Sequence, residues 1–172
     1  DTLIEIAAVK IKGETIIGEF SSLIDPKKPI SKFTSELTGI TNQMVKGQPG
    51  IDKVLREFHD FSKDTILVAH NADFDLGHIY HNYKEYGINV AVQPSIDTLT
   101  LAKILYPDKS SYSLERLCRL LKVSLSDHHR ALNDAKATAE IFLHMLKHLK
   151  KDGINRFQDI NLLIDRKEVY KY

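Results

Sequence analysis

Thr65-Ile66-Leu67-Val68-Ala69-His70-Asn71-Ala72-Asp73-Phe74-Asp75 is the stretch on which the reading of this chain turns. Thr65 to Ala69 is a continuous apolar run, as a strand buried on both faces would be. A helix is predicted from about Phe74 to Tyr86, ended by Gly87. Asp75 therefore falls just past the end of a strand and at the start of a helix. Open α/β sheets place their ligand sites at the carboxyl ends of strands, so a carboxylate there faces a crevice. The competing reading is that Asp73 or Asp75 merely caps the helix and answers its dipole. Local grounds leave both readings open.

Working outward, Leu3 to Ile11 and Thr15 to Ile24 read as two strands joined at Gly13, a hairpin. Asp25-Pro26-Lys27-Lys28-Pro29 is a rigid exposed turn. Ser35 to Gly47 reads as short helical pieces around Gly39 and Gly47. Ile51, Val54, Leu55, Phe58 and Phe61 recur at helical spacing. Ser95-Ile96-Asp97 is a short strand, and Thr98 to Tyr106 a helix stopped by Pro107. Ser113 can cap a helix with Leu114, Leu117, Cys118 and Leu121 on one face. The last long helix runs from near His129 to about Lys151, with an apolar stripe of Leu132, Ala135, Ala139, Phe142, Leu143, Leu146 and Leu149. A final short helix spans Asn155 to Ile164, before a charged tail from Asp165 to Tyr172. Strands first, then alternating helix and strand, predict an α/β layer with a mixed sheet flanked by helices.

His129 and Asp134 make the second half of a candidate site. Five residues along one helix turn the chain by roughly 140°, so the two cannot share a helical face. They converge if His129 sits in the loop before the helix and Asp134 in its first turns. A carboxylate there can bind metal, and a histidine of near-neutral pKa can take a proton. Taken alone, the pair reads as a surface histidine and an N-terminal acidic residue answering the macrodipole. His144 and His148, one turn apart, lack an evident third ligand and read as solvated, as do His78 and His81. Cys118 lies on an apolar face and reads as core. Phe74 could stack on a base or plug the core. Gly39 could let the backbone of Thr38-Gly39-Ile40 approach a ligand, or simply end a helix.

The totals bound the function. A chain of 172 residues, 42% apolar and 27% charged, fits one folded domain. A net charge of +1 does not mark a general nucleic-acid coat; if nucleic acid binds, it does so in a local groove. One cysteine permits no internal disulfide and suits a reducing, cytoplasmic setting. No apolar run approaches a membrane span. No Gly-rich phosphate loop or nucleophile elbow is present, which removes the ATP-dependent and serine-hydrolase readings.

Together these segments resemble the DnaQ-like 3′–5′ exonucleases with a catalytic histidine, the DEDDh group of the ribonuclease H-like fold. Ala69 to Asp75 matches the second motif of that family, and His129 with Asp134 its third. Leu37-Thr38-Gly39-Ile40-Thr41, Ile96-Asp97-Thr98-Leu99 and Ser113-Leu114-Glu115-Arg116-Leu117-Cys118 match other typical stretches. The likeness covers roughly Asp1 to Lys150 and is greatest to the proofreading domains of PolC-type DNA polymerases III.

The resemblance implies an α/β, ribonuclease H-like fold, with residues 1–152 as the exonuclease domain and 153–172 as a helical tail. It implies two Mg²⁺ or Mn²⁺ ions, with Asp134 ligating one and Asp75 helping to hold the other, and His129 as general base. Thr38 and Ile40 would lie against the terminal nucleotide of a DNA 3′ end, with Phe74 supporting its base and Asn71 beside it. Asp97 and Glu5 match structural positions. The partners implied are single-stranded or frayed DNA and a replicative polymerase in the same chain or complex. The first motif of the family, Asp-x-Glu, would stand on a strand ahead of Asp1, and the opening on Asp1 without Met reads as a truncation. The alternatives are an RNA-directed exonuclease of the same class and a catalytically dead docking module.

Overall fold

The amino-terminal hairpin forms as expected. β1 (Glu5–Lys12) and β2 (Thr15–Leu23) pair antiparallel, Glu5 opposite Leu23 and Lys12 opposite Thr15. Gly13 turns the chain between them at φ 65°, a left-handed conformation that costs glycine little. The computed structural model describes residues 3–125 and 130–169.

Two short helices follow. α1 (Lys32–Thr38) starts where the Ser31 side chain accepts from Thr34 N and stops at Gly39, φ 71°. α2 (Asn42–Val45) is capped by Thr41, which accepts from Met44 N. α3 (Ile51–Ser62) buries Ile51, Val54, Leu55 and Phe58, as its helical spacing predicts. Phe61 departs from that stripe. It is half-buried at the margin, where its ring meets Phe20 and lies under the Lys10 ammonium.

The deciding stretch becomes β3 (Leu67–Ala69) and α4 (Ala72–Glu85). β3 is shorter and less buried than the apolar run suggests: all three of its residues are only half-buried. Among the described residues its one strand partner is β4 (Ser95–Asp97), parallel to it, with Val68 opposite Ile96. The mixed character expected of the sheet is thus present as an antiparallel ladder and a separate parallel one. α5 (Thr98–Leu105) and α6 (Leu114–Leu121) follow, each capped by the residue before it, Asp97 and Ser113.

α7 (Ala131–Lys151) is the 21-residue element that joins the two ladders, packing on β1 and β3 and also on α5 and α6. Its buried face differs from the predicted stripe. Ala137, Thr138, Ala139, Ile141, Phe142, Met145 and Leu149 are buried, while Leu132, Ala135, Leu143 and Leu146 are half-buried. A helix covered on two sides has no single apolar stripe, and Met145 and Ile141 belong to the cluster that α7 shares with α5 and α6. α8 (Phe157–Val169) starts two residues later than expected, because Asn155 folds its amide back onto the Gly153 carbonyl.

Packing divides into three clusters. Leu101, Leu117, Ile141, Met145, Leu149 and Ile160 join α5 to α8. Ile6, Ile24, Val54, Leu55, Phe58 and Tyr83 fill the space between the hairpin, α3 and α4. Ile30, Ile40 and Val45 pack with Ile4 and Leu23 under α2. Each fully buried Leu or Ile contributes about 1.5–3 kcal/mol. No helix of the described residues is long and apolar enough to cross a membrane.

Candidate active site

Both candidate carboxylates sit in the first turn of a helix, and neither helix is capped by its own side chain. α4 begins at Asn71, whose backbone is left-handed (φ 68°, ψ 55°) and whose side chain makes no cap bond. Asparagine tolerates that conformation better than most residues. Asp97 supplies the missing acceptor from another strand. Its Oδ1 accepts from Asn71 N at 2.9 Å and from Leu99 N at 2.9 Å, and its Oδ2 accepts from Thr100 Oγ1 at 3.0 Å. One carboxylate therefore caps α5 and fastens the turn that aims α4.

α7 is held in the same way. Its flanking residue Arg130 has no capping side chain. Glu5, buried on β1, accepts from Ala131 N at 3.1 Å through Oε2 and from Arg130 Nη2 at 3.0 Å through Oε1. Asp134 lies three residues on, and its N–H donates to the Arg130 carbonyl. The carboxylate carriers Asp75 and Asp134 are thus each aimed by a remote carboxylate, Asp97 and Glu5.

The electrostatics follow from this convergence. Although Asp75 stands on the surface, the protein around its carboxyl desolvates it, and this is the main reason its pKa lies above the ordinary carboxylate value. His78, one turn along, opposes the shift, while Asp134 and Asp97 add to it by repulsion. Asp75 and Asp134, 59 positions apart in sequence, therefore lie within electrostatic reach of each other. Neither Asp73 nor Asp75 caps α4; both lie in its first turn, inside the cap position.

His70 locks the carboxyl ends of β3 and β4 together. Its Nδ1 is 3.0 Å from Thr98 Oγ1, and Thr98, fully buried, also donates to the Ala69 carbonyl. Burial lowers the His70 pKa, opposed by a bond to the Tyr112 backbone and by the charge of Asp97.

The remaining candidates are placed as follows. Phe74 is 61% exposed, with its ring edge-on to His78 at 4.8 Å. Asn71 is exposed beside it. Thr38 spends its hydroxyl locally, donating to the Thr34 carbonyl and accepting from Ile40 N. The Ile40 side chain is buried in the third cluster, so only its main chain is available to a ligand. His129 lies outside the described residues. His144 is exposed and His148 half-buried against the Tyr106 ring, whereas Cys118 is buried, which raises its pKa. Glu5 and Asp97 were legible as structural positions, but their action as remote caps was not, because capping rules look only a few residues along the chain.

The donor set of Asp75 and Asp134 suits a hard divalent cation. Both offer carboxylate oxygen, and their mutual repulsion is of the kind a cation relieves. Among the described residues no group of three His, Cys, Asp or Glu side chains is close enough to hold a metal by itself.

Comparison with known proteins identifies the family and the fold. The chain is 45% identical, over 169 residues, to the DNA polymerase III PolC-type of Caldanaerobacter subterraneus subsp. tengcongensis. That match takes in 98% of this chain but only 12% of the polymerase. Of solved structures, Exonuclease X in complex with 5′ overhanging duplex DNA is 28% identical with a TM-score of 0.69, over 86% of this chain and 89% of that one. The nuclease domain of 3′hExo, a DEDDh family member bound to rAMP, shares the fold at a TM-score of 0.71 and 20% identity, over 88% of this chain and 82% of that one. Residues 1–142 match the RNase_T exonuclease family model. The chain belongs to the RNase_T exonuclease family.

Proposed function

We propose that this chain is the proofreading-type 3′–5′ exonuclease part of a PolC-like polymerase, releasing 5′-mononucleotides from single-stranded or frayed DNA ends. The observation that supports the reading is that Asp75 and Asp134, each in the first turn of a helix, lie within electrostatic reach of each other in a chain of this family. Bound Mg²⁺ or Mn²⁺, two ions in this reading, would supply charge stabilisation to the attacking and leaving oxygens of the phosphodiester. Asp134 and Asp75 would hold the ions, with Glu5 and Asp97 keeping the two carboxylates aimed. His129 accepts the proton of the attacking water. Phe74 offers an exposed ring to the terminal base, with Asn71 beside it. Thr38 and Ile40 present their backbone to the terminal nucleotide at Gly39, where no side chain intervenes.

A single strand bends into such a site freely, while a paired end must first melt at a cost of a few kcal/mol. Mismatched termini are then the better substrates, as proofreading requires. We place the exonuclease unit at residues 1–152 and treat 153–172 as a helical tail, in a cytoplasmic protein with the polymerase in the same chain or complex. The test is digestion of 5′-labelled single-stranded DNA and RNA by the full-length protein and by its Asp134→Ala variant. The reading expects stepwise shortening from the 3′ end, faster on DNA, dependent on Mg²⁺ or Mn²⁺ and absent in the variant. Faster digestion of RNA would favour the RNA-directed alternative, and no digestion at all the docking module.

A further inference from the structure

The exit of β2 and the α1–α2 segment enclose an open cleft of about 410 Å³ whose walls carry three lysines, Lys27, Lys28 and Lys46, with Asn42, Val45 and one acid, Asp25. Asp25 is already engaged. It pairs with Lys27 at 2.9 Å and accepts from the main-chain N–H groups of Lys27 and Gly47, and the bonds from Lys27 hold its pKa below the usual value. Lys28 and Lys46 have no ion pair among the described residues. Two uncommitted cations thus face one cleft on a chain whose net charge is only +1.

The surroundings add a second, independent feature. α1, the helix leading into this region, buries none of its residues. Phe33 is 74% exposed and Leu37 47%, one helical turn apart on its surface. An exposed aromatic and aliphatic pair on the helix between two cleft residues, Pro29 and Asn42, can stack bases of a strand whose phosphates meet the lysines. The cleft borders the Thr38-Gly39-Ile40 segment read as lying against the terminal nucleotide. Val45 in its wall packs with Ile40 and Ile4, and Ile4 precedes the Glu5 that fastens α7.

We propose that this cleft is a subsite for the sugar-phosphate backbone of the single strand leading to the cut 3′ end, with Lys28 and Lys46 as phosphate ligands. The inference rests on the nuclease reading above and places strand contacts beyond the terminal nucleotide. On single strands each phosphate contact contributes about 0.7 to the slope of log affinity against log salt, so two lysines contribute about 1.4.

The experiment uses the full chain with Lys28→Ala and Lys46→Ala together, and with Lys→Arg at both positions. Affinity for a fluorescent single strand of about twelve nucleotides is read by anisotropy at 50 and 200 mM salt, with Asp134→Ala added to prevent cutting. The slope is expected to fall by about 1.4, so that raising the salt costs the lysine-bearing chain about sevenfold more affinity than the alanine variant. The arginine pair should restore the slope. In the cleavage-competent chain, the alanine pair should raise KM for the long strand and leave a trinucleotide unaffected. An unchanged slope, equal effects on long and short substrates, or no binding of the strand by the Lys28 and Lys46 chain would each overturn the proposal. Absence of cleavage by the unsubstituted full-length protein refutes the nuclease reading instead, and the anisotropy arm still reads the cleft.

Discussion

Replacing Asp97 with alanine removes three acceptor contacts at once: those to Asn71 N, Leu99 N and Thr100 Oγ1. A net hydrogen bond is worth about 1 kcal/mol, so the loss sums to about 3 kcal/mol. In a domain of this size 1 kcal/mol moves Tm by about 2–4 °C, which gives a fall of about 9 °C. Asp97→Asn should behave differently. Its amide oxygen can accept from both N–H groups that now meet Oδ1, and Thr100 can turn its hydroxyl to accept from the amide NH₂. The asparagine variant should therefore lose only about 1 kcal/mol, or about 3 °C. Calorimetric melts of both variants, run beside 3′-end digestion assays, test the reasoning. The alanine variant should also cut more slowly at a temperature where it is fully folded, because the turn that aims Asp75 has lost its anchor. A melt within about 2 °C of the parent chain for Asp97→Ala would refute the anchoring role. Equal damage from alanine and asparagine would show that charge, and not acceptor geometry, is what matters.

Glu5→Ala leaves the first N–H of α7 without its remote cap and should destabilise the chain by about 1–3 kcal/mol, measured in urea, with cleavage lost beyond what the folded fraction explains. Phe74→Ala, at a mostly exposed ring, should change stability by less than about 0.5 kcal/mol but raise KM for single-stranded DNA. His70, whose pKa is lowered by burial, makes stability depend on pH in one direction. The unfolded chain takes up the proton first as pH falls below 6.5, so stability is full above that value and declines until the pH reaches the lower folded pKa. His70→Gln should flatten urea midpoints across that window, and an unchanged slope would contradict the half-buried, neutral assignment.

Much of the architecture could be read in advance where one covering surface sets one period. α3 is such a case, since Ile51, Val54, Leu55 and Phe58 all belong to one cluster, shared with Ile6, Ile24 and Tyr83, and keep helical spacing. α7 is the opposite case: packed against strands on one side and helices on the other, it buries Ile141 and Met145 outside the stripe that periodicity selects. β3 misled because an apolar run reports hydrophobicity and not the number of strand partners, and Leu67 to Ala69 remain half-buried. Within the candidate site, Asp75 and Asp134 were visible as acidic residues at predicted helix starts. What was hidden is long-range: Glu5 reaches Ala131 across 126 positions, and Asp97 reaches Asn71 across 26. Ile40 also shows that a position can sit beside a candidate ligand segment while its side chain is committed to the core.

Calorimetric titration of Mn²⁺ into the full chain, and into Asp75→Asn and Asp134→Asn, tests most directly whether these two carboxylates form one metal site. The account predicts binding by the unsubstituted chain and a marked loss of affinity, by tenfold or more on the scale of about 1.4 kcal/mol per decade, in each single variant. Unaltered Mn²⁺ affinity in either variant, with its melting curve intact, would contradict it.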